Sequence, residues 1–216
     1  MKELAIVTGG TGALGVAVAR RFADAGYEVH VTASHEPEPN HSGPGVVHVV
    51  DLTNFDAVRA FAAKFARVHA IALAAGGYAG AKLDALTASG LEQMLDVNFK
   101  TATYALAAFA TKLGTGSAAV VVGSQSFEGA ANMAAYAASK AAVVSLARSA
   151  ALEWKPRGVR VNAVLPDVID TPANRRAMPD ADVSRWAKPE QVAEVIVWLC
   201  SRAASAVSGN AILVGV

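Results

Sequence analysis

Short apolar runs alternate along the chain with longer stretches of helical periodicity. Leu4-Ala5-Ile6-Val7 is an unbroken apolar run closed by Thr8 and two glycines, the pattern of a strand buried on both faces. From Ala13 to Ala25 the period becomes helical: Leu14, Val18 and Phe22 fall on one stripe, and Gly26 is a stop signal. Val29 to Thr32 and Val46 to Val50 predict the next two strands. The stretch between them, His35 to Gly45, holds three prolines and two glycines, so it predicts an irregular loop in place of a crossover helix.

Further on, Asn54 is placed to cap a helix reaching about Arg67, and Ala70 to Leu73 reads as a strand. Leu83 to Leu113 predicts one long helical region with a break near Gly90. Ala118 to Val122 is a strand, Ala134 to Trp154 a helix and Arg160 to Leu165 a strand. Pro189 suits the first turn of a helix running to about Ser201, and Ile212 to Val214 predicts a last strand. This alternation predicts an α/β fold: a doubly wound, mostly parallel sheet of Rossmann type between two helical layers, three layers in all. Residues 1–216 are expected to form a single domain, with the polar, proline-bounded segment 172–188 as a mobile lid over a shallow pocket.

Composition narrows the function classes. A length of 216 residues suits one domain, and 53% hydrophobic against 17% charged residues excludes a disordered chain. Nineteen basic against eighteen acidic residues give a net charge of +1, too balanced for a nucleic-acid binder that tracks phosphates. The most apolar long stretch, Ala134 to Leu152, carries Lys140 and Arg148, so no membrane span is expected. The first residues lack the apolar core of a secretion signal, and the one cysteine, Cys200, has no intrachain partner. A cytoplasmic location is the expectation. Cys200 lies in an apolar run and reads as a buried, inert thiol. The five histidines show no metal-ligand spacing, so no metal is expected.

Chemistry concentrates at two places. Thr8-Gly9-Gly10-Thr11-Gly12-Ala13-Leu14-Gly15 joins the first strand to the first helix and, from Gly10, reads G-x-G-x-x-G. Glycines there allow a tight turn and close backbone approach to a pyrophosphate on the helix N-terminus; the same glycines also suit a purely structural turn. An acidic residue about 20 residues on would hold the adenosine ribose of NAD. Ala33 stands there instead, followed by Ser34 and His35 as possible donors. NADP is therefore favoured, with NAD still possible.

The second place is Tyr136-Ala137-Ala138-Ser139-Lys140. A phenol and an ammonium at i and i+4 share one helix face, and a neighbouring cation favours phenolate. Lys140 is therefore expected to lower the Tyr136 pKa toward neutrality and make the phenol a usable proton donor and acceptor. Ser124 follows the strand that ends at Val122, where the ligand crevice of such a sheet lies.

On these residues the chain resembles the short-chain dehydrogenase/reductase family over nearly its whole length. The resemblance rests on Thr8–Gly15, Asp51-Leu52, Asn98, Ser124, Tyr136, Lys140 and Pro166 to Thr171. It implies NAD(P)(H)-dependent hydride transfer to or from a small carbonyl or alcohol substrate, with Tyr136 exchanging the proton. Lys140 would also hold the nicotinamide ribose, Ser124 would orient the substrate oxygen, and Asn98 would support a relay water. Gly9, Thr11, Gly12, Ala13, Leu14 and Gly15 would contact the cofactor in the glycine turn, and Ala75 and Gly76 after the fourth strand. Asp51 and Leu52 would flank the adenine; Pro166, Ile169 and Thr171 would meet the carboxamide end. The resemblance further implies a homodimer or homotetramer built on the helices predicted at 83–113 and 134–154.

Departures keep alternatives open. Ala13, Ala74 and Asp167 stand where the family usually has glycine, asparagine and glycine, which admits a cofactor-binding module without turnover. Ser126 competes with Ser124, which lies one residue nearer Tyr136 than is usual. The segments Ala75–Gly80 and Asp170–Trp186 look like the dihydropteridine reductase-like members, which makes a quinonoid pterin a candidate substrate. Arg175 and Arg176 either grip an anion or form a solvated lid face, and Tyr78 and Trp186 either line the pocket or simply pack.

Overall fold

The computed structural model describes residues 2–36 and 43–215. Strands β1 (Leu4–Thr8), β2 (Glu28–Ala33), β3 (Val46–Val49), β4 (Val68–Leu73), β5 (Leu113–Val122), β6 (Arg160–Pro166) and β7 (Ala211–Val214) form one parallel sheet in the order β3-β2-β1-β4-β5-β6-β7. The helices are α1 (Ala13–Asp24), α2 (Phe55–Ala63), α3 (Ala88–Met94), α4 (Thr101–Phe109), α5 (Ala134–Trp154), α6 (Pro172–Ala177) and α7 (Pro189–Cys200). One face of the sheet packs on α1 and α7, through Val18, Phe22, Ile196 and Leu199. The other packs on α2, α4 and α5, through Phe61, Leu106, Phe109 and Val144. The fold is the expected three-layer, doubly wound α/β arrangement.

Strands sandwiched in this way bury both faces, which is why β1 reads as a solid apolar run: Ala5, Ile6 and Val7 are all fully inaccessible. The chain winds outward from β1 through β2 to β3, then returns across β1 to begin β4. That reversal opens a crevice beyond the carboxyl ends of β1 and β4. Two threonines close its base. The Thr8 hydroxyl accepts from the Ala75 amide at 3.1 Å, and the Thr32 hydroxyl accepts from the Gly9 amide at 3.3 Å.

Several boundaries differ from the sequence-based expectation. Asn54 does cap α2, its side chain accepting from the Ala57 amide, but the helix stops at Ala63. The region predicted as helix to Leu113 ends at Phe109, and β5 already starts at Leu113. Its first half, Gly114-Thr115-Gly116-Ser117, has small and polar residues that hide the strand period. The break expected near Gly90 falls earlier, because Thr87 caps α3 and accepts from the Gly90 amide at 3.1 Å. Residues 34–36 and 43–45 are irregular as expected, and the remainder of the proline loop lies outside the described residues.

Phe109 is 1% exposed and meets Phe61 and Phe65 at ring-centroid distances of 5.7 and 6.1 Å. Phe109→Ala should cost about 3–5 kcal/mol in denaturant unfolding, from lost transfer and the cavity left behind. Leu152→Ala, on the outer side of α5, should stay within about 0.5 kcal/mol in the same measurement.

Candidate active site

The crevice is lined by turns whose geometry follows from their sequence. Gly9 adopts φ +65°, and a Cβ there would come within 2.8 Å of Ala75 Cα. A Cβ on Gly15 would sit 2.1 Å from the Gly9 carbonyl oxygen, so α1 can start this close to β1 only with glycine at that position. Gly12 is the N-cap of α1 and carries no side chain to satisfy the first-turn amides, and that turn holds no acid. Thr11, Ala13 and Leu14 flank it. Ser34 and His35 lie exposed just beyond β2, with 3.0 Å between Ser34 Oγ and His35 Nδ1. Asp51 lies exposed beyond β3, its carboxyl held below the usual range by hydrogen bonds from the Thr53 hydroxyl and amide, with Leu52 half-buried behind it.

Between α3 and α4 the helix widens into π turns over Leu95–Lys100, and Asn98 sits in this stretch, 1% exposed. Such local widening re-aims a side chain that an α-helix would point elsewhere. The Asn98 amide nitrogen donates to the Gly77 carbonyl at 3.0 Å and to Ser139 Oγ at 3.2 Å, and its oxygen accepts from the Gly77 amide at 3.1 Å. Asn98 thus clamps the loop after β4 against α5. A Cβ at Gly76 would come within 2.7 Å of Asn98 Oδ1 and 3.3 Å of Lys140 Nζ.

Tyr136 and Lys140 share one face of α5, with Lys140 Nζ 5.8 Å from the Tyr136 ring centroid. The ammonium is buried and donates to the Val122 carbonyl at 3.0 Å. Burial pushes its pKa down to about 8. The phenol of Tyr136 is displaced the opposite way from the sequence-based expectation. Burial raises its pKa, a hydrogen bond with Ser124 lowers it in part, and Tyr78 raises it further. The spacing argument failed because Lys140 turns its charge to the Val122 carbonyl, while the surrounding protein strips water from the phenol.

Ser124, beyond the end of β5, is the hydroxyl against Tyr136; Ser126 donates its own amide to Ser124 Oγ and directs its hydroxyl at Met133 Sδ. Tyr78 packs edge-on against Tyr136 at 5.0 Å and is 58% exposed, so it forms the outer wall of the site. The bridge between Ala81 and Met133 ties its loop to the approach of α5. Pro166 ends β6. Beyond it, Ile169 bridges to Ala187, and the Thr171 hydroxyl caps α6 by accepting from the Asn174 amide. This bridge closes segment 172–188 into a loop anchored at both ends. Arg175 is paired bidentately with Asp170 at 2.5 and 2.8 Å, so it is not free for an anion. Cys200 is buried, with its thiol pushed up to about 12, as suits an inert core residue. Among the described residues no group of three or more His, Cys, Asp or Glu side chains could hold a metal ion.

The sequence reading gave no role to Thr32, nor separate roles to Thr8 and Ser139 within their motifs or to Gly77 in the loop after β4, although all four organise the site. For Thr32 the signal was a polar residue inside an apolar strand, which is visible in the sequence but matches no motif.

An open doubly wound sheet with a glycine turn at its switch point, and a buried lysine, a tyrosine and a serine at the end of β5, defines a dinucleotide-binding oxidoreductase. The residues fit a nicotinamide dinucleotide: uncapped amides of α1 for the pyrophosphate, and a buried ammonium for ribose hydroxyls. A family model described as enoyl-(acyl carrier protein) reductase matches residues 10–215. Galactitol 2-dehydrogenase of Rhizobium johnstonii is 33% identical, covering 96% of this chain and 91% of that one. The cyclic-di-GMP-binding biofilm dispersal mediator protein of Escherichia coli K12 is 31% identical over 94% and 92%. The crystal structure of BdcA in complex with NADPH superposes with a TM-score of 0.87 at 27% identity, covering 98% and 92%. The chain belongs to the short-chain dehydrogenase/reductase family. It is an NAD(P)-dependent oxidoreductase acting on a small molecule. Among the described residues no helix is long and apolar enough to cross a membrane.

The buried ammonium sets a pH test. Folded Lys140, with a pKa near 8, loses its proton before the unfolded chain does at 10.5. Its contribution to stability is therefore unfavourable in full below pH 8 and improves as pH rises from 8 toward 10.5. Lys140→Met removes this term. The stability difference between variant and parent should shift toward the parent by roughly 3 kcal/mol between pH 7 and pH 10.5. A difference that stays constant across this range would show that the ammonium is not held out of water.

Proposed function

We propose that the protein is a reductase of small carbonyl compounds that favours NADPH, with Tyr136 as proton donor. The observation that carries this is the phenol held protonated at neutral pH, hydrogen-bonded with Ser124 and walled on its outer side by Tyr78. When bound, the nicotinamide supplies hydride. The protonated phenol donates to the carbonyl oxygen as negative charge develops there. Ser124 orients that oxygen and helps to stabilise the tyrosinate left behind. Lys140, charged below about pH 8, holds ribose hydroxyls and offsets the phenolate. Asn98, whose amide is filled by Gly77 and Ser139, is a positioning residue that fixes the loop wall against α5.

In this reading Gly9, Thr11, Gly12, Ala13, Leu14 and Gly15 receive the pyrophosphate, Asp51 and Leu52 the adenine, Ala75 and Gly76 the adjoining ribose. Pro166, Ile169 and Thr171 receive the carboxamide, and residues 172–188 form the lid. Support for NADPH is the absence of a carboxylate at Ala33, with Ser34 and His35 presented to solvent at the end of β2. Aliphatic or cyclic carbonyls are favoured over a quinonoid pterin, because Asn98 and Ser124 complete a site that the pterin-reducing relatives are not expected to share. Assembly into a dimer or tetramer on the helical regions of residues 83–113 and 134–154 belongs to the same reading, and the exposed Leu91 on α3 and Leu152 on α5 support a contact there.

The test is a panel of aldoses, cyclic ketones, oxoacyl thioesters and quinonoid dihydropterin assayed with NADPH and NADH. Turnover of at least one carbonyl class is expected, with kcat/KM higher for NADPH. Tyr136→Phe should lose at least about a hundredfold in kcat while NADPH binding, read by fluorescence, stays unchanged. A variant that retains most of its turnover removes Tyr136 from the chemistry. His35→Asp should move the preference toward NADH, by repulsion of the 2′-phosphate.

A further inference from the structure

We propose that a hydrogen-bonded chain of Glu28, His30 and His48 is an acid-sensitive latch on the edge strand β3, and that its opening lowers affinity for the cofactor. The register pairs His30 with Val46 and Thr32 with His48, which makes the two imidazoles diagonal neighbours on the sheet face covered by α2. His30 Nδ1 and His48 Nε2 lie 2.9 Å apart, and His30 Nε2 lies 3.1 Å from the Glu28 carboxylate. The two rings stack at 24° with their centroids 5.2 Å apart. Phe65 packs edge-on against His30 at 4.9 Å, and Phe61 packs against His48 at 4.9 Å.

Strand β3 has little else to hold it. It is four residues long, it pairs with β2 alone, and Val46 and Val49 are half-exposed. From its end the chain leads through the buried Val50 to Asp51 and Leu52. The proposed function assigns those two residues to the adenine, and the cofactor half of this inference rests on that reading.

The carboxylate fixes where the protons sit. An ionised Glu28 can only accept, so His30 carries its proton on Nε2, and neutral His30 presents a bare Nδ1 to which His48 donates from Nε2. One added proton is accommodated on His30, where Glu28 offsets the charge and His48 turns acceptor. A second, on His48, sets two N–H groups face to face and places two cations in stacked rings. Burial holds the pKa of His48 below its ordinary 6.5, and His30 and Lys64 lower it further. Among the described residues, the other charges on α2, Asp56 and Arg59, pair with each other on its exposed side. Ile6 on β1 and Ile71 on β4 stand level with His30, and His69 on β4 accepts from the Leu4 amide. The unfolded chain takes up the His48 proton near pH 6.5 while the folded chain resists it, so the hold on β3 weakens as pH falls below 6.5.

Hydrogen exchange of the full chain without cofactor tests the latch, with the protection of β3 amides referred to that of β5 in the same sample. Between pH 7.5 and pH 5 this ratio should fall at least about tenfold in the parent. In His48→Phe, which keeps an aromatic ring beside Phe61 and has nothing to titrate, the ratio should stay constant. Glu28→Gln removes the counter-charge, so loosening should begin at a higher pH than in the parent. A β3 that loosens no more than β5, or as much in His48→Phe as in the parent, overturns the latch. The dissociation constant for NADPH is then measured in the parent and in His48→Phe at each pH, so that titration of the ligand's own phosphate cancels in their ratio. That ratio, parent over variant, should rise at least threefold from pH 7.5 to pH 5, and a constant ratio overturns the link to the cofactor. If NADPH binds at neither pH, the active-site reading fails, while the exchange measurement still decides the latch.

Discussion

An ammonium held out of water at the end of β5 is the constraint on which the site is built. Lys140 enters the interior from α5 and finds the Val122 carbonyl, one of the last acceptors of its strand. A buried charge with a single protein acceptor carries a standing desolvation cost, seen in the fall of its pKa to about 8. That cost is tolerable only if the surrounding packing is rigid, and three devices supply the rigidity. The loop after β4 passes so close that a Cβ at Gly76 would crowd both Asn98 and Lys140; Asn98 pins that loop; Ser139, beside the lysine, is the other end of the clamp. The lysine pays for its position by being ready for hydroxyl-rich ligands that arrive in the crevice.

The phenol above it is governed by the same loss of water. Burial favours the uncharged forms of both groups, so a neutral phenol sits next to an ammonium that titrates within the working range. This pairing suits donation to a carbonyl more than abstraction from an alcohol at neutral pH. Tyr78 adds to the bias, since it packs edge-on against Tyr136 and raises the pKa of that phenol further. The outer wall of the site is a mostly exposed aromatic ring on a loop. The inner wall is a helix and a strand end.

The two ends of the sheet differ in kind. At the carboxyl ends of the strands one ammonium, Lys140, is buried, Arg175 is paired with Asp170 at the rim, and backbone amides of α1 stand open. At the amino ends, Arg148, Lys155 and Arg202 gather around a wide cavity. With a net charge of only +1 over the chain, this segregation comes from placement and not from composition.

Much of this was legible in the sequence, for physical reasons. Strands covered on both faces must be apolar throughout, so β1, β4 and β6 announce themselves, and α5 runs from Ala134 to Trp154 as its alanine-rich sequence predicts. Steric demands on glycine likewise made the turn at Gly9 to Gly15 readable, because a Cβ at Gly9, Gly10 or Gly15 would collide with its neighbours. The first half of β5 was not legible, since its pairing with β4 and β6 is non-local and its residues are small and polar. The direction of the Tyr136 shift was also decided only by tertiary structure. Spacing fixes which side chains are neighbours on a helix, but dielectric surroundings, the carbonyl that captures Lys140 and the ring of Tyr78 all come from distant parts of the chain. The choice of Ser124 over Ser126 as the hydroxyl beside the phenol rests on the same ground: two hydroxyls two residues apart are equivalent in sequence, and only the turn after β5 aims one at Tyr136 and the other at Met133.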